Sequence, residues 1–106
     1  MSRYMRIIVF FDLPVVRRKD RKAYAKFRKF LLNDGYVMLQ YSVYSRICHG
    51  QDGVAKHMRR LHENIPPVHG AIRAIRITEK QFENMDILLG TVTAEEELGP
   101  NKIDFF

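Results

Sequence analysis

The chain contains no tryptophan, a single cysteine and no uninterrupted apolar run longer than residues 7–11. Each shortage closes off a class of protein. Cys48 has no partner for an internal disulfide, so the fold cannot lean on cross-links and the chain suits a reducing, cytoplasmic compartment. Five apolar residues fall far short of a membrane span, and no small-residue cleavage site follows them as a signal peptide would require. Metal-binding side chains are sparse too. His49, His57, His62 and His69 are scattered, and the one pair on an expected helix, His57 and His62, is five apart, which points the rings to different faces. No zinc site is expected, and each His reads as a surface or turn residue. There is no glycine-rich phosphate loop ahead of a helix and no His-to-Ser or His-to-Cys spacing of a nucleophile relay. Acids are scarcest at the start, where residues 1–33 set only Asp12 and Asp20 against ten Lys or Arg.

What is present is the composition of one folded domain. Apolar residues make up 46% of the 106, enough for a core that hides roughly two thirds of the unfolded surface and unlike the polar, highly charged makeup of disorder. The formal net charge of +6 is unevenly spread: residues 1–33 carry +8 and residues 77–106 carry −5. A basic region of this density gathers polyanions and binds phosphate with strong salt dependence, the plain alternative being a well-solvated helix face.

The pattern along the chain predicts alternating elements. Residues 4–11 form a strand that is apolar on both faces near its end, and Leu13 and Pro14 break it. A helix over 19–33 follows, with Ala23, Tyr24, Phe27, Phe30 and Leu31 on one stripe, Asp20 in its first turn and Gly35 as its stop. Residues 36–48 alternate with period two, with Val37, Leu39, Tyr41, Val43 and Ile47 on one side. Thirteen residues is long for a strand, so a bend at Gln40, Tyr41 and Ser42 is expected to divide it. After a turn over 49–53, a second helix spans 54–64, with Val54, Met58 and Leu61 inward and Lys56, Arg59 and Arg60 outward. A strand over 70–78, a short helical turn over 79–84 and an apolar piece over 85–89 complete the sequence of elements. The order strand, helix, strand, strand, helix, strand predicts an α+β, ferredoxin-like βαββαβ domain over 3–89 with an extra C-terminal strand or tail. Residues 90–106 read as an acidic linker and a docking tail ending in Phe105 and Phe106. With helices on one face of the sheet, the apolar run of the first strand implies a covered second face, most simply against a second copy of the chain.

Asp12 stands out as a carboxylate delivered to the end of a buried strand. Hard cations such as magnesium favour carboxylate oxygen and take one or two such ligands from protein, leaving water and substrate phosphate to complete the shell. One Asp per chain is thin for such a site, but a two-fold axis near the end of the strand would supply a second Asp12. The competing reading is an Asp that closes a turn by bonding its own backbone. Arg17, Arg18, Lys19, Arg21, Lys22, Lys26, Arg28 and Lys29 suit sugar-phosphate contacts, which need charge and reach but carry no sequence code. Residues 10–13 vaguely match the first strand of an RNA-recognition motif, whose Gly- and Phe-rich second motif is missing.

Taken in order, residues 5–14, 21–31, 35–46 with their Gln40-Tyr41-Ser42-Val43-Tyr44 centre, and 77–82 resemble CRISPR-associated protein two over about residues 3–89, and are most similar to the version in type II systems. The resemblance implies a cytoplasmic, prokaryotic, ferredoxin-like homodimer that binds Mg2+ through Asp12 and cuts single-stranded RNA or double-stranded DNA. It also implies a scaffold in spacer acquisition that bridges CRISPR integrase dimers and holds DNA along the first helix, with Arg17, Arg18 and Arg28 as backbone contacts and the apolar tail as a docking element. One departure matters: the family often has Tyr immediately before the Asp, and this chain has Phe11. Two other readings remain open on the residues. A toxin-type ribonuclease related to virulence-associated protein D would share the Asp, and a ferredoxin-like regulatory module would bind a small ligand at a dimer interface.

Overall fold

The computed structural model describes residues 3–90; the expected docking tail lies outside the described residues. The elements are β1 (Tyr4–Asp12), α1 (Arg18–Asn33), β2 (Val37–Gln40), β3 (Val43–His49), α2 (Gly50–Glu63), β4 (Ala71–Thr78) and α3 (Glu79–Glu83). All pairings are antiparallel and the sheet order is β2-β3-β1-β4, the ferredoxin-like arrangement expected from the element order.

Alternation along β1 divides its side chains between two layers. Ile7, Val9 and Phe11 enter the helix-covered core with Phe27 and Leu31 of α1 and Val54 and Leu61 of α2. Arg6, Ile8 and Phe10 point to the opposite face. α1 ends as Gly35 predicts. With φ of 92°, Gly35 lets Tyr36 N–H donate to Leu31 C=O at 2.9 Å and its own N–H donate to Leu32 C=O at 3.2 Å, so these two carbonyls of the last turn are satisfied. At the other end the Asp20 carboxylate accepts from Arg17 N–H at 3.4 Å.

The expected division of residues 36–48 is present. β2 stops at Gln40 and β3 starts at Val43, and Ser42 takes a φ of 63° at the turn between them. The single stripe expected through this segment holds only outside the turn, where Tyr41 is exposed. The core side of β3 carries Tyr44 and Cys48 instead, because the turn folds β3 back against β2. α2 starts four residues before the expected 54. Residues 50–53, read as a turn for their two glycines, are its first turn, with Asp52 complementing the helix dipole. Residues 85–89 form no strand.

The second face is partly closed by this chain itself. α3 lies on it, with Phe82 under the Arg6 guanidinium at 4.1 Å from the ring centre. Arg6 is 1% exposed, its Nε donates to Glu79 Oε1 at 2.9 Å and to Oε2 at 3.2 Å, and its Nη1 donates to Ser45 Oγ at 3.3 Å. Arg6 Nη2 has no hydrogen-bond partner among the described residues, and among them Glu79 supplies the charge compensation of the guanidinium. Met85, Ile87 and Leu89 then line a groove of about 420 Å³ with Ile8, Phe10 and Val43. Phe10 and Ile75 remain 42% and 47% exposed, an apolar area that the described chain leaves open.

Removing one partner of a buried ion pair strands the other charge, so Glu79→Ala is expected to lower unfolding free energy by about 3 kcal/mol. Replacing both groups, Arg6→Met with Glu79→Leu, is expected to restore most of that loss, and urea titration of the three variants checks both statements.

Candidate metal and nucleic-acid site

The end of β1 is fixed by what surrounds Asp12. Phe11 is wedged among aromatic rings, with centroids 5.3 Å from Phe27, 5.6 Å from Tyr44 and 5.7 Å from Tyr24. Leu13 is buried as well. With both neighbours directed inward, the strand period turns the Asp12 side chain outward, where it is exposed. The backbone is held closely here. Phe11 N–H donates to Ser42 C=O at 3.1 Å. A Cβ on Gly70, whose φ is 139°, would lie 2.6 Å from the Asp12 carbonyl oxygen, so only glycine permits β4 to start against this point.

Asp12 opens on a pocket of about 330 Å³ that also touches Phe10, Tyr41, Ser42 and Arg73. Among the described residues no group of three or more His, Cys, Asp or Glu is placed to hold a metal ion. The donor present is a single exposed carboxylate. It fits a hard cation that retains water and takes its remaining ligands from elsewhere, and it does not fit zinc. Tyr24 packs on Phe11, and its phenol, close to that of Tyr41, raises the Tyr41 pKa. Tyr41 and Arg73 were not singled out from the sequence. Their signal was an aromatic at a turn and a cation in an apolar strand, both compatible with plain surface positions.

The basic residues do not form one stripe. Arg18, Lys22 and Lys29 share one line at helical spacing, Lys19 and Lys26 a second, and Arg21 and Arg28 a third. All are exposed. The third row is engaged within the chain. Arg21 Nη1 donates to Val16 C=O at 2.6 Å and so braces the loop after β1, and Arg28 Nε donates to the Tyr44 hydroxyl at 2.9 Å. Arg17 and Lys19 line a groove with Pro14 and His69, near the end of β1. Arg28 reaches that end through Tyr44, which stacks on Phe11, whereas Lys22, Lys26 and Lys29 continue along the helix.

A buried polar cluster lies elsewhere, at the C-terminal end of α1. The Asp34 carboxylate accepts from Arg60 Nη2 at 2.8 Å and lies 3.2 Å from His57 Nδ1. Arg46 Nε donates to the Asp34 carbonyl at 2.6 Å. His57 is buried rather than at the surface, because its place three residues after Val54 and four before Leu61 puts it on the inner side of α2. Burial lowers its pKa, although the hydrogen bond to Asp34 acts in the opposite direction.

A family model described as CRISPR associated protein Cas2 matches residues 5–85. The chain is 54% identical over 93 residues to the CRISPR-associated endoribonuclease Cas2 of Acidovorax ebreus (strain TPSY), covering 88% of this chain and 90% of that protein. It is 41% identical over 97 residues to the protein of that name from Campylobacter jejuni, covering 92% and 67%, and 39% identical over 102 residues to the one from Parvibaculum lavamentivorans, covering 96% and 100%.

Since His57 resists protonation in the fold, the unfolded chain takes up more protons near and below its ordinary pKa of 6.5. Its contribution is therefore present above that pH and is lost as pH falls through the lowered folded value. The urea midpoint is expected to fall more steeply between pH 7.5 and 5 in the native chain than in His57→Gln.

Proposed function

The chain belongs to the CRISPR-associated Cas2 family, and from that premise we propose that it is a homodimeric, Mg2+-dependent endonuclease and a double-stranded DNA scaffold in spacer acquisition. The observation that carries the reading is the placement of Asp12. It is an exposed carboxylate on the inner strand, held between buried neighbours and short of further ligands among the described residues. A second copy supplies the second Asp12. The open apolar area around Phe10 and Ile75 is the surface on which that copy would sit, and its burial favours association.

In this reading the two Asp12 carboxylates hold the cation, whose chemistry is to offset charge on the phosphoryl oxygens and to make an attacking water more acidic. Arg17 and Lys19 receive the phosphates beside the site, and Arg18, Lys22, Lys26, Arg28 and Lys29 extend that track along α1. The relatives' name, an endoribonuclease, supports RNA as a substrate. The exposed cationic rows support duplex DNA binding for the scaffold role, in which the dimer bridges CRISPR integrase dimers. Family membership favours this reading over a toxin-type ribonuclease, and the dense basic helix favours it over a small-ligand module.

Purified Asp12→Ala is expected to lose Mg2+-dependent cleavage while still binding duplex DNA and supporting spacer insertion; cleavage that survives in a clean dimer assigns the activity to other groups. Reversal of Arg17, Arg18 and Arg28 to Glu is expected to abolish DNA binding at moderate salt. Neutralising the three to Ala should reduce the slope of log affinity against log salt by about three for each protomer that contacts the duplex. An unchanged slope would move the phosphate surface off α1.

A further inference from the structure

The turn between β2 and β3 carries an unusual combination. Tyr41 is 78% exposed, yet it is followed by Ser42 in a left-handed conformation that a non-glycine residue seldom adopts. The Ser42 carbonyl accepts from Phe11 N–H at 3.1 Å, one residue before Asp12. The turn that carries this exposed ring is thus anchored through its backbone to the strand that ends in Asp12. Across the same pocket stands Arg73, paired with Phe10 on β1 and exposed. No acid among the described residues forms an ion pair with it.

We infer that Tyr41 and Arg73 form, beside Asp12, a subsite for one unstacked nucleobase and its phosphate, making this end of the sheet selective for single-stranded over duplex nucleic acid. The inference rests on the reading of Asp12 as the hydrolytic centre and adds what brings a strand to it. An aromatic face held in place stacks on a base of any identity, and a guanidinium nearby neutralises the adjoining phosphate. A duplex cannot use this site, since its bases are already stacked on each other and only the phosphate contact remains. The basic rows of α1 do not discriminate in this way, because backbone phosphates are common to both forms.

The test is binding of a labelled single-stranded RNA hexamer and of a duplex DNA in EDTA, where cleavage does not intervene. Tyr41→Ala is expected to weaken hexamer binding about tenfold and to leave duplex binding unchanged. Tyr41→Phe, which keeps the ring, is expected to retain hexamer affinity. Arg73→Ala is expected to weaken the hexamer and to lower its salt slope by about one. An unchanged hexamer affinity in Tyr41→Ala overturns the inference, as does an equal loss for both ligands. A loss as large in Tyr41→Phe would assign the effect to the hydroxyl, and dissociation of the dimer by Tyr41→Ala would assign the ring to the subunit contact; either outcome also overturns it. Failure of the underlying reading has a separate signature: Asp12→Asn would then still cleave, whatever Tyr41 contributes to affinity.

Discussion

β1 is paired on both edges, covered on its helix side and partly covered on the other, and the remaining elements take their positions from it. Its odd-numbered side chains seat α1 and α2 through Ile7, Val9 and Phe11. Its even-numbered side chains seat α3 and the chain that follows, through Arg6 and Ile8. A strand with this role has little freedom to slip, because a shift of one residue would drive Arg6 into the helix-side core and Ile7 onto the opposite face. The last residue of the strand is therefore placed with the same rigidity as the core. That is the property a single carboxylate needs if it is to meet another across a two-fold axis.

The second face joins two physically different halves. Near the start of β1 it is closed within the chain by the buried Arg6–Glu79 pair and the Phe82 ring. Near the end of β1 it is apolar and open at Phe10, with residues 85–89 reaching over only part of it. The closed half sets the orientation of the chain leaving β4, and the open half leaves Asp12 at the edge of the uncovered surface.

Elements governed by local periodicity were legible in the residues. The length of the alternating segment 36–48 implied a bend at Gln40 to Ser42, and Gly35 marked the end of α1. Asp12 was legible because an acid after an apolar strand is conspicuous. What escaped were interactions whose two partners lie far apart in sequence. Arg6 and Glu79 are 73 residues apart, and nothing in an apolar strand indicates that its one arginine is fully buried. His57 resembles a surface group when the scattered histidines are considered only as metal ligands, and its helical phase between Val54 and Leu61 is what places it inside. α2 begins at Gly50 although the two glycines of residues 50–53 have low helix propensity, because Asp52 and the tertiary contact from Gly50 N–H to Arg3 C=O at 2.6 Å favour helix.

The acidic end of β1 and the basic face of α1 are coupled through one aromatic pair. Tyr44 stacks on Phe11 with centroids 5.6 Å apart, and its hydroxyl accepts the Arg28 Nε bond. The same Phe11 ring meets Phe27 and Tyr24 edge-on, both from α1. A hydroxyl on Phe11 would need a hydrogen-bond partner inside this cluster, so a phenylalanine is the residue that packs there without that demand. The contacts that result fix the distance between the carboxylate and the first helix by core packing rather than by surface ion pairs, which salt would weaken. Phosphate contacts on such a helix can then weaken with salt while the geometry between helix and carboxylate stays constant, and positioning and affinity become separable properties of one small domain.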